Sequence, residues 1–244
     1  MTYNIIFPVY NEENRLENGI SKTVEFLKNE LSQRECQITI VDNASIDSTA
    51  AISKSLCQKY SNVHYIRIEE KGVGAAFRAG IRSNKCDIVG YMDIDLSTDL
   101  KHLREMVEIF ENEESVGIVN GSRYSKQSRL VGRNWCRNVI SYVLVFILKF
   151  FLSMGATDAI CGFKFFKKDI IEKLVKESTA EDGWFYIIEL LLRAERGGIH
   201  IKELPVLWVF EKHTKVKIFK VTCNYLRHIW RLFWIFRKDK KGTV

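Results

Sequence analysis

The chain reads as an α/β protein with a mainly parallel, doubly wound sheet, and three observations predict it. Short β-rich runs alternate with apolar repeats at helical spacing, in the order β-α-β-α-β-α-β-α-β, which calls for crossover connections. Polar clusters follow three of those strands, where open α/β sheets place their ligands. The 244 residues are 46% hydrophobic and 27% charged, enough for a real core. They contain no repeat, low-complexity tract or Gly/Ser linker and only two prolines, Pro8 and Pro205, so one large α/β domain is the economical arrangement.

The first strand is 3-YNIIFPV-9, and the N-terminus is too short and too polar for a secretory signal. Leu16, Ile20, Val24, Leu27 and Leu31 then recur at the period of an amphipathic helix. The strand 37-QITIVD-42 is followed by a helix carrying Ala51, Ile52, Leu56 and Tyr60. The strand 63-VHYIRI-68 leads into the helix 73-VGAAFRAGI-81. The strand 87-DIVGYMDI-94 precedes a helix marked by Leu103, Met106, Val107 and Phe110, and 116-VGIVNGS-122 is the fifth strand. The polar loops 8-PVYNEE-13, 42-DNASIDST-49 and 93-DIDLST-98 each begin at a strand's carboxyl end.

Beyond residue 125 the pattern changes. The segment 138-NVISYVLVFILKFFLSMG-155 is strongly apolar, but Lys149 interrupts it well short of the roughly 20 apolar residues of a membrane span. In 221-VTCNYLRHIWRLFWIFRKDKK-241, helical spacing puts Leu226, Ile229, Trp230, Phe233 and Phe236 on one face, with Arg227 and Arg231 off it. An apolar face, tryptophans and a cationic flank suit a helix lying in a membrane interface; they also suit a helix packed on the protein's own core with a solvated basic end. The net charge of +7 belongs to this end: from Lys212 to Val244 ten Lys or Arg face one acid, Asp239, leaving the body at −2. A nucleic-acid footprint over the whole protein is therefore excluded. The six scattered cysteines, with no C-x-x-C, fit reduced cytosolic thiols better than disulfides or a zinc site.

The chemistry concentrates at 91-YMDIDLST-98. In a strand, residues i and i+2 point the same way, so Asp93 and Asp95 project together, which costs free energy unless a cation sits between them. Either they cap a strand end in water or they hold a metal. Paired carboxylates suit Mg²⁺ or Mn²⁺, which share their shell with substrate phosphates. The stretch 71-KGVGAAFRAG-80 offers Gly72-x-Gly74, but Phe77 stands where a dinucleotide-binding helix needs Gly or Ala. It is better read as a Lys-Gly turn opening a helix, able to touch a nucleotide through Lys71 and backbone N–H groups.

The ordered set 7-FPVYNEE-13, 41-VDNASIDST-49, 71-KGVGAAFRAGI-81, 93-DIDLST-98, 121-GSRY-124 and 158-DAICGFKFF-166 resembles an inverting family-two glycosyltransferase of the GT-A fold. Within that family it is similar to the polyprenyl- and dolichyl-phosphate glucose and mannose transferases, and 184-WFYIIELLLRAERGGIHIKELPVLW-208 is closer to the glucose branch. The resemblance covers residues 3 to 210. It implies a GT-A domain over 1–210 and a basic, membrane-associating tail over 211–244. Pro8, Tyr10 and Glu12 would line the base and ribose of a nucleotide-diphosphate sugar. Asp42 would contact the base, Asp47 would brace that loop, and Lys71 would lie near the nucleotide. Asp93 and Asp95 would hold Mg²⁺ or Mn²⁺ on the diphosphate. Arg123, with Arg133 or Arg137 and Lys164, would meet the phosphate of a polyprenyl lipid, and Asp158 with the following Cys161-Gly162-Phe163-Lys164 would close the acceptor side.

Three departures from the family pattern stand out: Asp42-Asn43-Ala44-Ser45 replaces D-D-G-S, Ser97 stands where mannose synthases carry Gln, and Ile187 stands where the glucose branch carries an acid, leaving Glu189 nearby. A lipid monophosphate can attack without a strong base. A sugar-hydroxyl acceptor, the alternative, needs a carboxylate base, for which Asp158 is the first candidate and Glu189 the second. The resemblance thus implies an enzyme peripheral on the cytosolic face of a membrane, and it leaves room for a companion membrane subunit.

Overall fold

A computed structural model of the chain describes residues 1–132, 135–179, 181–210 and 218–241. The elements run β1 (Thr2–Val9), α1 (Leu16–Glu30), β2 (Glu35–Asn43), α2 (Thr49–Lys59), β3 (Val63–Ile68), α3 (Val73–Ser83), β4 (Ile88–Met92), α4 (Lys101–Asn112) and β5 (Ile118–Ser122). They continue with β6 (Arg129–Val131), α5 (Trp135–Leu152), β7 (Phe163–Lys167), α6 (Lys168–Glu177), α7 (Phe185–Arg196), β8 (Ile201–Pro205), β9 (Leu207–Val209) and α8 (Ile218–Lys241).

The main sheet has seven strands in the order β3-β2-β1-β4-β7-β5-β8. The chain winds outward from β1 to β3, then returns to lay β4 on the other side of β1, which makes the β1/β4 boundary the switch point where ligands bind. All pairings are parallel except those of β7, which runs against both β4 and β5. A second, two-stranded sheet pairs β6 with β9. The five predicted strands are present, whereas β6 to β9 were not foreseen. Two of those four are three residues long, and β8 has too little burial contrast to show an alternating pattern.

Alternation along the strands divides the core. Tyr3, Ile5, Phe7 and Val9 of β1 pack with Leu16, Ile20 and Leu27 of α1 and with Leu103, Met106 and Phe110 of α4. Ile6, Val89 and Tyr91 point to the other face, against Phe77 of α3 and Leu190 and Leu191 of α7. A third layer lies beyond. Phe185, Ile188 and Leu192 of α7 turn away from the sheet and meet Val145, Leu148 and Leu152 of α5 and Tyr225, Ile229, Leu232 and Phe236 of α8. α7 is apolar on two sides because both are covered, and its acids and arginines, among them the paired Glu189 and Arg193, lie between or beyond them.

The expected single apolar face of α8 is in fact two. Ile229 and Phe236 are buried, while Leu226, Trp230 and Trp234 face outward and Phe233 lies between. The boundary expected at residues 210 and 211 therefore separates segments that share a core. Among the described residues no helix is long and apolar enough to cross a membrane.

The β4–β7 seam depends on a missing side chain. A Cβ on Gly90 would collide with the Lys164 carbonyl and the Phe165 ring across the pair. Gly90→Ala is expected to cost about 1–3 kcal/mol through overpacking, read as a lower urea midpoint with an unchanged slope.

Candidate active site

The loops after β1, β2 and β4 converge at the switch point, and each turns through a non-glycine residue with left-handed backbone: Asn11 (φ 55°), Ala44 (φ 64°) and Leu96 (φ 52°). Such conformations cost about 1–2 kcal/mol per residue and collect where geometry serves function. The first two loops are tied together. Asn11 N–H donates to Ser45 Oγ at 2.9 Å, Ile46 N–H to Asn11 Oδ1 at 2.9 Å and Glu12 N–H to Thr49 Oγ1 at 2.9 Å. Asp47 caps the start of α2 by accepting from Thr49 N–H at 3.0 Å, and it reaches Glu13 N–H at 3.3 Å, in keeping with a bracing role.

On the expected nucleotide side, Lys71 Nζ donates to Tyr10 Oη at 3.1 Å and lies 5.1 Å from that ring's centre. The first and third crossovers thus meet through the two side chains assigned to the nucleotide. Pro8 lies partly buried at the end of β1, and the Glu12 carboxylate is gripped by Arg15 through two 2.8 Å bonds. Asp42 is fully buried. Its Oδ1 accepts from Ser45 N–H at 2.8 Å, and its Oδ2 accepts from Tyr65 Oη and Arg67 Nη1 at 3.0 Å each. It shapes the loop, and Oδ1, with one bond accepted, has a lone pair left. Asn43, the departure from the family pattern, joins β1 to the 71–74 turn by donating to Val9 O at 2.8 Å and accepting from Gly72 N–H at 3.2 Å.

Asp93 and Asp95 follow β4. Asp93 N–H donates to Gly162 O at 3.3 Å, and Asp95 Oδ1 accepts from Ser97 N–H at 2.9 Å. Burial, then the Asp95 charge, pushes the Asp93 carboxyl up to about 7, against the pull of Arg123 and Lys164. Two neighbouring oxygen-donor acids, one of them disfavoured as an anion by burial and by the other's charge, fit a hard divalent cation. Among the described residues no third His, Cys, Asp or Glu completes a ligand set, so donor phosphates would have to fill the shell.

On the acceptor side, β7 is decisive. Because it runs antiparallel, it starts where β4 and β5 end, and so delivers residues 158–162 to the D-x-D and to Arg123. Arg123 Nε and Nη2 bond Asp158 Oδ2 and Oδ1 at 2.6 and 2.9 Å, and the Arg123 and Ile160 N–H groups add bonds of 3.1 and 2.9 Å. Burial would raise the Asp158 carboxyl, but Arg123 wins and holds it below the usual carboxylate range. The guanidinium lies between the Tyr124 and Trp208 rings, 5.4 and 5.0 Å from their centres. Lys164, expected at the acceptor phosphate, is fully buried instead: helices cover both faces of the sheet, its ammonium donates to Cys161 O, and burial lowers its pKa. Arg133 lies outside the described residues, as does the side chain of Arg137.

Glu189, the second candidate base, is also committed. It accepts from Arg193 Nε at 2.7 Å and from Thr179 N–H at 2.8 Å. Ile187 is buried in the core. Gly162, expected only to help close the acceptor side, has a second part under the D-x-D, and Trp208 was not foreseen. A Cβ on Gly162 would run into the Asp93 carboxylate, so that acid is seated on bare backbone. Trp208 reaches Arg123 because β9 is tied to the D-x-D loop by Val209 N–H donating to Ser97 O at 2.8 Å. The G-F-K-F-F run signals the glycine; nothing local signals the tryptophan.

The pH response follows from Asp93. Its folded pKa of about 7 lies above the ordinary 3.8, so its contribution to stability is full below pH ~4 and lost as pH rises to ~7. Asp93→Asn should therefore stabilise the metal-free protein above pH ~7 and leave it unchanged below pH ~4, read from urea melts. Gly162→Ala should displace the carboxylate and weaken Mn²⁺ binding by at least about tenfold, measured by electron paramagnetic resonance of free Mn²⁺. Unchanged Mn²⁺ affinity in a folded variant would show that the seat is unimportant.

The family model described as Glycosyl transferase family 2 matches residues 4–175. Glycosyltransferase AglD of Haloferax volcanii is 30% identical over 232 residues, spanning 95% of this chain and 37% of that protein. The dolichyl-phosphate beta-glucosyltransferase of Dictyostelium discoideum is 28% identical over 251 residues, 94% of this chain and 76% of the relative. The chain thus spans little more than a third of the first relative's length. Among solved structures, glucosyl-3-phosphoglycerate synthase from Mycobacterium tuberculosis, in complex with Mn²⁺ and uridine-diphosphate-glucose, matches with a TM-score of 0.67 at 15% identity. That match covers 93% of this chain and 76% of the other, and it establishes the GT-A-like architecture. With well over half its length matched by the model, this chain belongs to glycosyl transferase family 2 and is a glycosyltransferase.

Proposed function

We propose that the enzyme moves a hexose from a nucleotide-diphosphate sugar to a polyprenyl phosphate at the cytosolic face of a membrane. The observation that carries the choice of acceptor is the condition of the two candidate bases. Asp158 is locked to Arg123, and Glu189 to Arg193 and Thr179. A sugar hydroxyl needs a base to take its proton, whereas a phosphate monoester, with a second pKa of about 6, is already an anion. The name of the Dictyostelium relative supports the same acceptor class.

In this reading Tyr10 and Lys71 flank the nucleotide, and the loop held by Asp42 and Asn43 shapes its pocket. Asp93 and Asp95 would hold Mg²⁺ or Mn²⁺, whose charge would offset that of the departing diphosphate. The Mn²⁺ bound with the sugar nucleotide in the mycobacterial structure supports this assignment. Arg123, steadied by Asp158 and two aromatic rings, orients the incoming phosphate. Attack from the side opposite the leaving group inverts the anomeric carbon, and rate comes from positioning and charge complementarity. The outward residues Leu226, Trp230 and Trp234 of α8, with Arg227, Arg231 and Arg237, suit contact with an anionic bilayer surface.

The test is to incubate the protein with polyprenyl phosphate and radiolabelled UDP-glucose or GDP-mannose, then to extract the lipid. A single-sugar lipid labile to mild acid is expected; label found only in acid- and alkali-stable glycan overturns the acceptor assignment. Asp93→Ala with Asp95→Ala should lower turnover by at least about a thousandfold without lowering the melting temperature.

A further inference from the structure

α5 has two unlike faces. Val145, Leu148 and Leu152 are buried in the third core layer, but Tyr142, Phe146 and Phe150 are 52, 67 and 72% exposed. Spaced four residues apart, these three form one ridge about 12 Å long. A run of exposed rings that the core does not use marks a contact surface.

What occupies it can be argued from its two ends. At one end the Tyr142 ring lies 4.5 Å from that of Tyr124, which in turn lies under the Arg123 guanidinium. Asp158 takes Nε and Nη2 of that arginine, and Nη1 is outside the pair. Along the ridge Phe146 stacks on Phe150 at 6.3 Å. At the far end Phe150 meets Phe151 at 5.1 Å, and Phe151 meets Phe233 of α8 at 6.2 Å, beside Trp230 and Trp234. Ring contacts thus run from a cation beside the D-x-D to Tyr142 and from Phe146 to the basic aromatic helix, with one helical turn of α5 between Tyr142 and Phe146. The matching ligand has an anionic head and a long hydrocarbon tail, with the head placed at the reacting end.

Resting on the polyprenyl-phosphate reading, we propose that Tyr142, Phe146 and Phe150 form the track for the first isoprene units of the acceptor, from the phosphate at Arg123 toward the membrane. The track selects for chain length and branching near the phosphate, and it works without a bilayer.

The full chain in detergent-free buffer, with soluble dimethylallyl, geranyl and farnesyl phosphates, tests this. In the wild type KM falls along that series. With Phe146→Ser and Phe150→Ser, both at exposed positions, KM for farnesyl phosphate rises about tenfold and the series flattens, the loss falling on KM rather than kcat. A benzophenone-bearing farnesyl phosphate should label α5 in the wild type and not in the variant. A chain-length dependence that survives the substitutions overturns the track. So does a variant that loses only vesicle binding, which makes the ridge a bilayer contact, or one that splits a dimer, which makes it a contact between copies. Photolabelling of α5 without sugar transfer to any prenyl phosphate supports the track and overturns the transfer reading, so the two fail separately.

Discussion

The site depends on a single strand that runs the wrong way. In a wholly parallel sheet the carboxyl ends of the strands receive only the loops that leave them. β7 enters its place between β4 and β5 from the opposite direction, so it brings its own preceding segment to the same edge. That reversal sets Gly162 beneath Asp93 and Asp158 against Arg123. Acidic and basic groups then alternate within a few residues of the strand ends, where low dielectric makes each charge answer for its neighbours. Asp158 is held ionised because Arg123 is bonded to it; Asp93 is pushed up by burial and then by the Asp95 charge, which outweigh Arg123 and Lys164.

Much of this was legible in the sequence, and what was not has a physical reason. The strands β1 to β4 carry apolar alternation or continuous apolar runs between clear helical repeats, so their order and the loops that follow them could be placed. The D-x-D was legible as two acids at a strand's carboxyl end, but β4 stops at Met92 and the acids sit in the turn closed by Leu96 N–H on Asp93 O, so strand alternation does not set their direction. β7 was not, since five residues of Phe and Lys do not encode which way a strand points in its sheet. Lys164 was expected at the acceptor phosphate, but both faces of the sheet are roofed by helices and its side chain is fully buried. Arg123 and Asp158 are 35 residues apart, and only the folded register shows that they are partners rather than independent acid and base.

The comparison of acids also corrects a habit of inference. A carboxylate near a cleft invites a catalytic label, yet Asp158 and Glu189 have every oxygen engaged, by an arginine, a backbone N–H or, at Glu189 Oε2, the Thr179 hydroxyl. Their work is to hold other groups still. The two acids that remain available are the pair after β4, where sequence spacing, backbone strain at Leu96 and proton affinity agree.

α7 has a consequence for how the molecule is assembled. A helix with Leu, Ile, Phe and Tyr on two opposite sides cannot be left half bare, so α5 and α8 are structural partners of the sheet rather than appendages. Truncation at Phe210 would strip Tyr225, Ile229, Leu232 and Phe236 from that helix and leave a sticky flank facing water. The outward basic aromatic face of α8 and the packing that backs α7 are therefore inherited together, and a homologue could not shed α8 without baring that helix.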